Sequence, residues 1–351
     1  MKKLSVLLCI YTLFAPITLE ASITLKTQGS FFIGGKILKK RGQYNQKNWM
    51  DQKGQTRHGD HMYVFYQIPK KSRKYPVVFL HGASQSGQSW ETTPDGRDGF
   101  QNIFLKHRYS VYIIDQPRCG RAGQSIVQAN IDPVTYDQFL FDIFRLGLWP
   151  KFYKNTQFPT DPKSLHNFFK QNTPNIGGCD RDLVSNSVAK LFNKIGDGIL
   201  ITHSQGGEIG WISAMKSEKI KAIVAIEPAN GFVFPRGEAP GLIFSSSGKL
   251  RTTSVDLKHF LKLTKIPIII YFGDYIPNHP TELKGQDNWY QRLKMAEKWT
   301  DTINRYGGNA QVVHLPKIGI FGNTHFMFMD KNNQQIADLI FKFFQKNGLE
   351  K

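Results

Sequence analysis

The sequence predicts an α/β fold, with a mostly parallel sheet of about eight strands covered by helices on both faces. Three observations lead there. Short, continuous apolar runs recur along the chain, as strands buried on both faces require. Segments of helical period lie between them. Polar and glycine-rich loops follow several of these runs, at the strand ends where open α/β sheets gather their ligands.

The elements follow in order. Gly29-Ser30-Phe31-Phe32-Ile33-Gly34-Gly35 and His61-Met62-Tyr63-Val64-Phe65-Tyr66 are aromatic and β-branched runs bounded by turn residues, and predict an antiparallel opening pair outside the alternation. Tyr75 to Leu80 and Tyr112-Ile113-Ile114, ending at Asp115, are the third and fourth strands. The same form recurs at Ile199-Leu200-Ile201, at Ile223-Val224-Ala225-Ile226, at Ile266 to Phe272 and, more weakly, at Gln311 to Leu315. Helices are predicted over Glu208 to Ser217, Trp289 to Tyr306 and Asn332 to Phe344; in the last, Ile336, Leu339, Ile340 and Phe343 share one face. Two connections, about 126–195 and about 231–263, exceed an ordinary crossover, and their aromatic content predicts ordered, lid-like insertions.

Composition bounds the class. In 351 residues, 40% hydrophobic and 13% aromatic content is ample for a core and excludes disorder throughout. Lys2 and Lys3 precede an apolar run, Leu4 to Ile17, too short to span a bilayer, and Ala21-Ser22 offers a cleavage point. Residues 1–21 are therefore expected to be a signal peptide and 22–351 a single domain, periplasmic or secreted. No second apolar stretch of spanning length follows, so no integral membrane span is expected after cleavage. Cleavage leaves Cys119 and Cys179, enough for one disulfide and too few for a disulfide-built scaffold. The formal charge of +19 is dispersed, its clusters fall at turn-like positions, and no finger, helix-turn-helix or aromatic-basic motif accompanies it, so no nucleic-acid partner is expected.

The chemistry concentrates in Ile199-Leu200-Ile201-Thr202-His203-Ser204-Gln205-Gly206-Gly207-Glu208-Ile209-Gly210. An apolar strand runs into a serine, and small residues follow as a helix begins. A tight strand-to-helix turn that lifts a nucleophilic hydroxyl above a sheet needs such small neighbours. The departure from G-x-S-x-G is Thr202. Phe79-Leu80-His81-Gly82-Ala83-Ser84 places a His-Gly turn at the end of an earlier strand, so the amides of Ala83 and Gln205 are the candidate oxyanion hole. A hydroxyl needs a base, and of the ten histidines His325, in Phe321-Gly322-Asn323-Thr324-His325-Phe326 before the closing helix, has the right framing.

Two carboxylates compete to orient that base. Asp274 ends Tyr271-Phe272-Gly273-Asp274 after the seventh strand, and Glu227 ends Ile223-Val224-Ala225-Ile226-Glu227-Pro228 after the sixth. Glu227 is favoured, because a glutamate between four apolar strand residues and a proline has little structural reason to be there, whereas Asp274 reads as a turn residue. His58-Gly59-Asp60-His61 reads as a solvated turn, and neither a metal nor an organic cofactor is expected. Trp90, Trp149, Phe232 and Phe326 are candidates for pocket wall or core.

On these motifs the chain resembles the α/β-hydrolase superfamily, and within it secreted bacterial and fungal esterases like the Alcaligenes esterase. The resembling pieces are Gly29 to Gly35, His81-Gly82, Thr202 to Gly206, Ile226-Glu227-Pro228 and Gly322 to His325. The resemblance implies the α/β-hydrolase fold, a glutamate acid after the sixth strand, and hydrolysis of small-molecule carboxylic esters through an acyl-enzyme. Ala83-Ser84 lacks an adjacent cysteine pair found there in some members. The alternatives are another acyl or peptide hydrolase of the same fold, or a noncatalytic protein binding an anionic glycan or lipid.

Overall fold

Val77 and Phe79 leave one face of their strand and Val78 and Leu80 the other, and each pair enters a separate apolar layer. That two-sided burial is what a continuous apolar run codes for. In the computed structural model, which describes residues 22–129, 131, 135–241, 243–245 and 248–351, this strand lies near the middle of an eight-stranded sheet. The expected signal peptide, 1–21, lies outside the described residues.

The strands are β1 (Leu25–Lys39), β2 (Thr56–Pro69), β3 (Val77–Leu80), β4 (Val111–Asp115), β5 (Gly198–His203), β6 (Ile220–Ile226), β7 (Pro267–Phe272) and β8 (Asn309–His314). Their spatial order is β1-β2-β4-β3-β5-β6-β7-β8. β2 runs antiparallel to β1 and β4, and the other pairings are parallel. The predicted α/β fold with its antiparallel opening pair is the one observed. At the edge, β1 alternates half-buried and exposed residues over much of its length, as a strand with one covered face does.

Helices cover both faces. On one lie α1 (Phe100–Lys106) and, at the end of the chain, α8 (Asn333–Lys346), which bury Phe104, Ile336, Ile340 and Phe344. Between β4 and β5 come α2 (Asp137–Ile143), α3 (Pro162–Lys170) and α4 (Arg181–Ile195). α5 (Gly206–Lys216) follows β5, the short α6 (Leu257–Phe260) precedes β7, and the long α7 (Lys284–Arg305) precedes β8. α4, α5 and α7 build the second layer, in which Trp211 and Trp299 pack with their rings tilted and centroids 4.4 Å apart. Full burial of a large apolar side chain of this kind is worth about 1.5–3 kcal/mol.

The long connections are ordered where described. Residues 126–195 hold a scaffold helix as well as a roof over the strand ends. α4 opens where the Asp180 carboxylate accepts the Leu183 N–H at 3.0 Å, and its apolar stripe of Val184, Val188, Leu191 and Phe192 packs into the second layer. Within 231–263, Phe232–Pro235 pairs in parallel with Thr252–Val255. Cys119 and Cys179 are free thiols, the first donating to the Gln85 carbonyl. Among the described residues no helix is long and apolar enough to cross a membrane.

Candidate active site

β5 ends at His203, and the chain turns at once into α5 through Ser204, whose φ of 52° lies in the left-handed region that a serine rarely adopts. The turn is held at both ends. Ser204 N–H donates to the Ile226 carbonyl at 3.0 Å, and its carbonyl accepts from Gly207 and Ala229. Thr202, the departure from the glycine pattern, fits because a Cβ on Gly210 would stand only 2.9 Å from the Thr202 methyl. The glycine one helical turn on supplies the room missing on the strand.

The His81-Gly82 turn lies against the serine. A Cβ on Gly82 would come within 2.8 Å of the Ser204 Cβ, so only glycine permits this approach. His81 pins the turn from below: its Nε2 accepts from Gln116 N–H at 3.1 Å, its Nδ1 donates to the Gly82 carbonyl, and burial keeps it neutral. Ala83, Ser84, Ser204 and Gln205 line one wall of a cavity of about 820 Å³, with Phe144 and Trp289 also in its lining. Among the described residues, neither the Ala83 nor the Gln205 amide donates to a backbone carbonyl.

His325 and Glu227 meet in the interior. His325 Nδ1 lies 2.8 Å from Glu227 Oε2, and both side chains are fully buried. The other carboxylate oxygen, Oε1, accepts the Gly273 N–H at 2.6 Å and the Arg145 guanidinium, which is itself fully buried. Burial alone raises the Glu227 carboxyl, but Arg145 and His325 outweigh it and hold it at about 2. Burial pulls the His325 imidazolium down to about 4 against the pull of Glu227, so the ring is neutral at pH 7 and the carboxylate ionised. The ring is clamped by Phe144, stacked at 5.0 Å, and by Trp289 at 4.4 Å. Its other nitrogen, the buried Nε2, has no hydrogen-bond partner among the described residues, so no hydrogen bond joins it to Ser204.

Asp274 is placed differently. Its carboxylate accepts the Tyr275 N–H and the Gly322 N–H, each at 2.7 Å, which fastens the seventh strand's end to the histidine loop. Its contribution near Arg145 is a carbonyl, which accepts from Nε at 2.8 Å. Of the aromatic candidates, Trp90, Phe232 and Phe326 are core and Trp149 is exposed. His58 to His61, expected as a solvated turn, lies instead within β2, where the buried Asp60 carboxylate accepts from both arms of the Arg118 guanidinium at 2.8 Å.

Several residues were not singled out from sequence. Arg145 is the lone cation in the apolar run Phe139 to Leu148, a signal available to a reader looking for buried charge. His203 donates from Nε2 to the His325 carbonyl at 3.1 Å and so braces the loop from the strand beside the serine. Asp330 accepts from Thr324 N–H, Thr324 Oγ1 and Asn323 Nδ2, and burial pushes its carboxyl up to about 7.

Residues 77–339 match the alpha/beta hydrolase family. The chain is 31% identical to a protein solved as a novel bacterial esterase, covering 95% of this chain and 99% of that one with a TM-score of 0.76. It is also 29% identical over 330 residues to a probable secreted lipase, phiG, of a fungal species, covering 81% of this chain and 86% of that protein.

The buried carboxylate depends on its cation. Arg145→Met is expected to destabilise the protein by about 3–5 kcal/mol in urea unfolding at pH 7, because it leaves Glu227 charged and unpaired. Since the Glu227 carboxyl is held below its ordinary 4.5, its share of stability is present above that pH and lost as pH falls toward 2. The deficit of the variant should therefore shrink in acid. A variant as stable as wild type at pH 7 would contradict the dependence.

Proposed function

We propose, for a chain that belongs to the alpha/beta hydrolase family, that it is a serine hydrolase of small-molecule carboxylic esters, working through Ser204, His325 and Glu227. The observation that carries the reading is the 2.8 Å contact between His325 Nδ1 and Glu227 Oε2, with the carboxylate locked from its other side and Nε2 left unpartnered. A neutral imidazole whose Nδ1–H is held by a carboxylate presents its Nε2 lone pair as the base. Ser204 Oγ gives its proton to Nε2 and attacks the ester carbonyl. The Ala83 and Gln205 amides stabilise the oxyanion, and the imidazolium returns the proton to the leaving alcohol. Water, deprotonated by the same nitrogen, then releases the acid. No hydrogen bond joins Ser204 to Nε2 in the structure; in this reading it is made in the complex with substrate.

Two further features belong to this reading. The lysine-led apolar segment at 1–21 and the likeness to a probable secreted lipase support export, to the periplasm or outside the cell. The likeness to a bacterial esterase supports an ester as substrate, although fold alone does not choose one.

Hydrolysis of p-nitrophenyl esters of increasing chain length should be measurable for the protein lacking residues 1–21 and should fall by orders of magnitude in Ser204→Ala. Glu227→Gln should lower kcat far more than Asp274→Asn; the reverse ranking would make Asp274 the acid. The acid limb of kcat/KM reports protonation of His325, whose burial places it below the ordinary 6.5, so the limb should lie under that value. A limb above 6.5 would contradict the buried, neutral base.

A further inference from the structure

We propose that the ester taken by this site carries an anionic group, a carboxylate or its equivalent, and that Arg292 holds it. The inference rests on the reading of Ser204 as nucleophile and names the substrate class of that same site.

Arg292 stands on α7 one turn after Trp289 and lines the cavity that also exposes Ser204. Its guanidinium carbon lies 4.4 Å over the Trp289 ring, and Arg145 lies 4.8 Å over the same ring. The two cations therefore flank one indole, but they are not equivalent. Arg145 has Glu227 as partner. Arg292 makes no ion pair among the described residues, and its buried Nε has no hydrogen-bond partner.

Glu227, the nearby acid, is already committed. One oxygen takes Arg145 and the Gly273 amide, and the other takes His325. Nor does the rest of the cavity wall neutralise Arg292. Arg181 and Glu208 pair with each other there, while Arg251, also in the wall, makes no ion pair among the described residues. Burial draws the Arg292 pKa down to about 10, which still leaves the group charged at neutral pH.

A guanidinium whose Nε is buried without a partner and whose remaining nitrogens open on a reaction cavity, uncompensated by any acid, is costly unless something occupies it. Its planar fork matches a carboxylate, and charge-assisted bonds of that kind are among the stronger polar contacts. A neutral ester leaves the fork empty. An ester bearing a carboxylate fills it while its carbonyl sits at Ser204.

The test compares two matched pairs of esters: mono-p-nitrophenyl glutarate against p-nitrophenyl pentanoate, and acetoxyacetate against ethyl acetate. The first pair puts the charge on the acyl side and the second on the alcohol side. In at least one pair the anionic ester should have the higher kcat/KM, by about tenfold or more, with the advantage expressed in KM. That ratio should collapse toward unity in Arg292→Gln and survive in part in Arg292→Lys. The ratio is the readout because Arg292 also stands near His325, so absolute rates will move in both variants. In parallel, calorimetry on Ser204→Ala should show glutarate binding that Arg292→Gln in the same background abolishes. Neutral esters preferred in both pairs, or an anionic preference and glutarate binding indifferent to Arg292→Gln, would overturn the proposal. If no ester is turned over by the wild type, the nucleophile reading falls, and the calorimetry still decides whether Arg292 holds a carboxylate.

Discussion

A carboxylate kept ionised in the dry interior is the constraint around which the rest of this site is arranged. Glu227 has no access to water, and its charge is tolerable only because Arg145, the Gly273 amide and the His325 ring surround it. Each of these comes from a different part of the chain: the β4–β5 connection, the end of β7 and the loop before α8. The strand end, the roof and the histidine loop must therefore assemble together for any one of them to be stable. The electrostatics that hold Glu227 ionised also fix the tautomer and direction of the imidazole, and burial keeps that imidazole neutral.

The sheet does the placing. β5 and β6 are neighbours in parallel register, so the residues just past their ends, Ser204 and Glu227, emerge side by side, both with left-handed φ. Such strain in non-glycine residues persists only where the surroundings over-determine it. Here the Ser204 amide is bound to Ile226 and the Glu227 amide to Tyr271, which extends the ladders past the formal strands. The roof contributes more than cover. α2 ends just before Phe144 and Arg145, and the Phe144 carbonyl accepts the His325 N–H at 3.0 Å. In the reading proposed, a segment inserted between scaffold elements thus positions the base from above while His203 braces it from the strand.

Much of this was legible in the sequence, for reasons that can be named. Continuous apolar runs revealed the central strands because burial on both faces removes the polar alternation, and the serine stood out because it ends such a run and Gly206 and Gly207 follow it, as a tight turn into a helix requires. What was hidden depended on distance along the chain. Arg145 lies in an apolar stretch that reads as core, and nothing local indicates that its partner is a glutamate eighty-two residues on. α4 was absorbed into a long connection because its stripe is short and its flanks are loop-like. Thr202 broke the expected pattern, and its compensation, Gly210, sits a turn into the next helix. Glu227 and Asp274 were both visible as carboxylates at strand ends; their different surroundings, one carboxylate facing the ring and the other spent on two backbone amides, exist only once β6, β7 and the histidine loop are packed.

The most direct test of the central claim is covalent labelling with a fluorophosphonate, followed by mass spectrometry of the proteolysed adduct. One modified residue is expected, Ser204, with labelling abolished in Ser204→Ala and slowed by orders of magnitude in Glu227→Gln at pH 7. An unlabelled wild-type protein, or an adduct carried by another residue such as Ser84 in the same cavity wall, would contradict it.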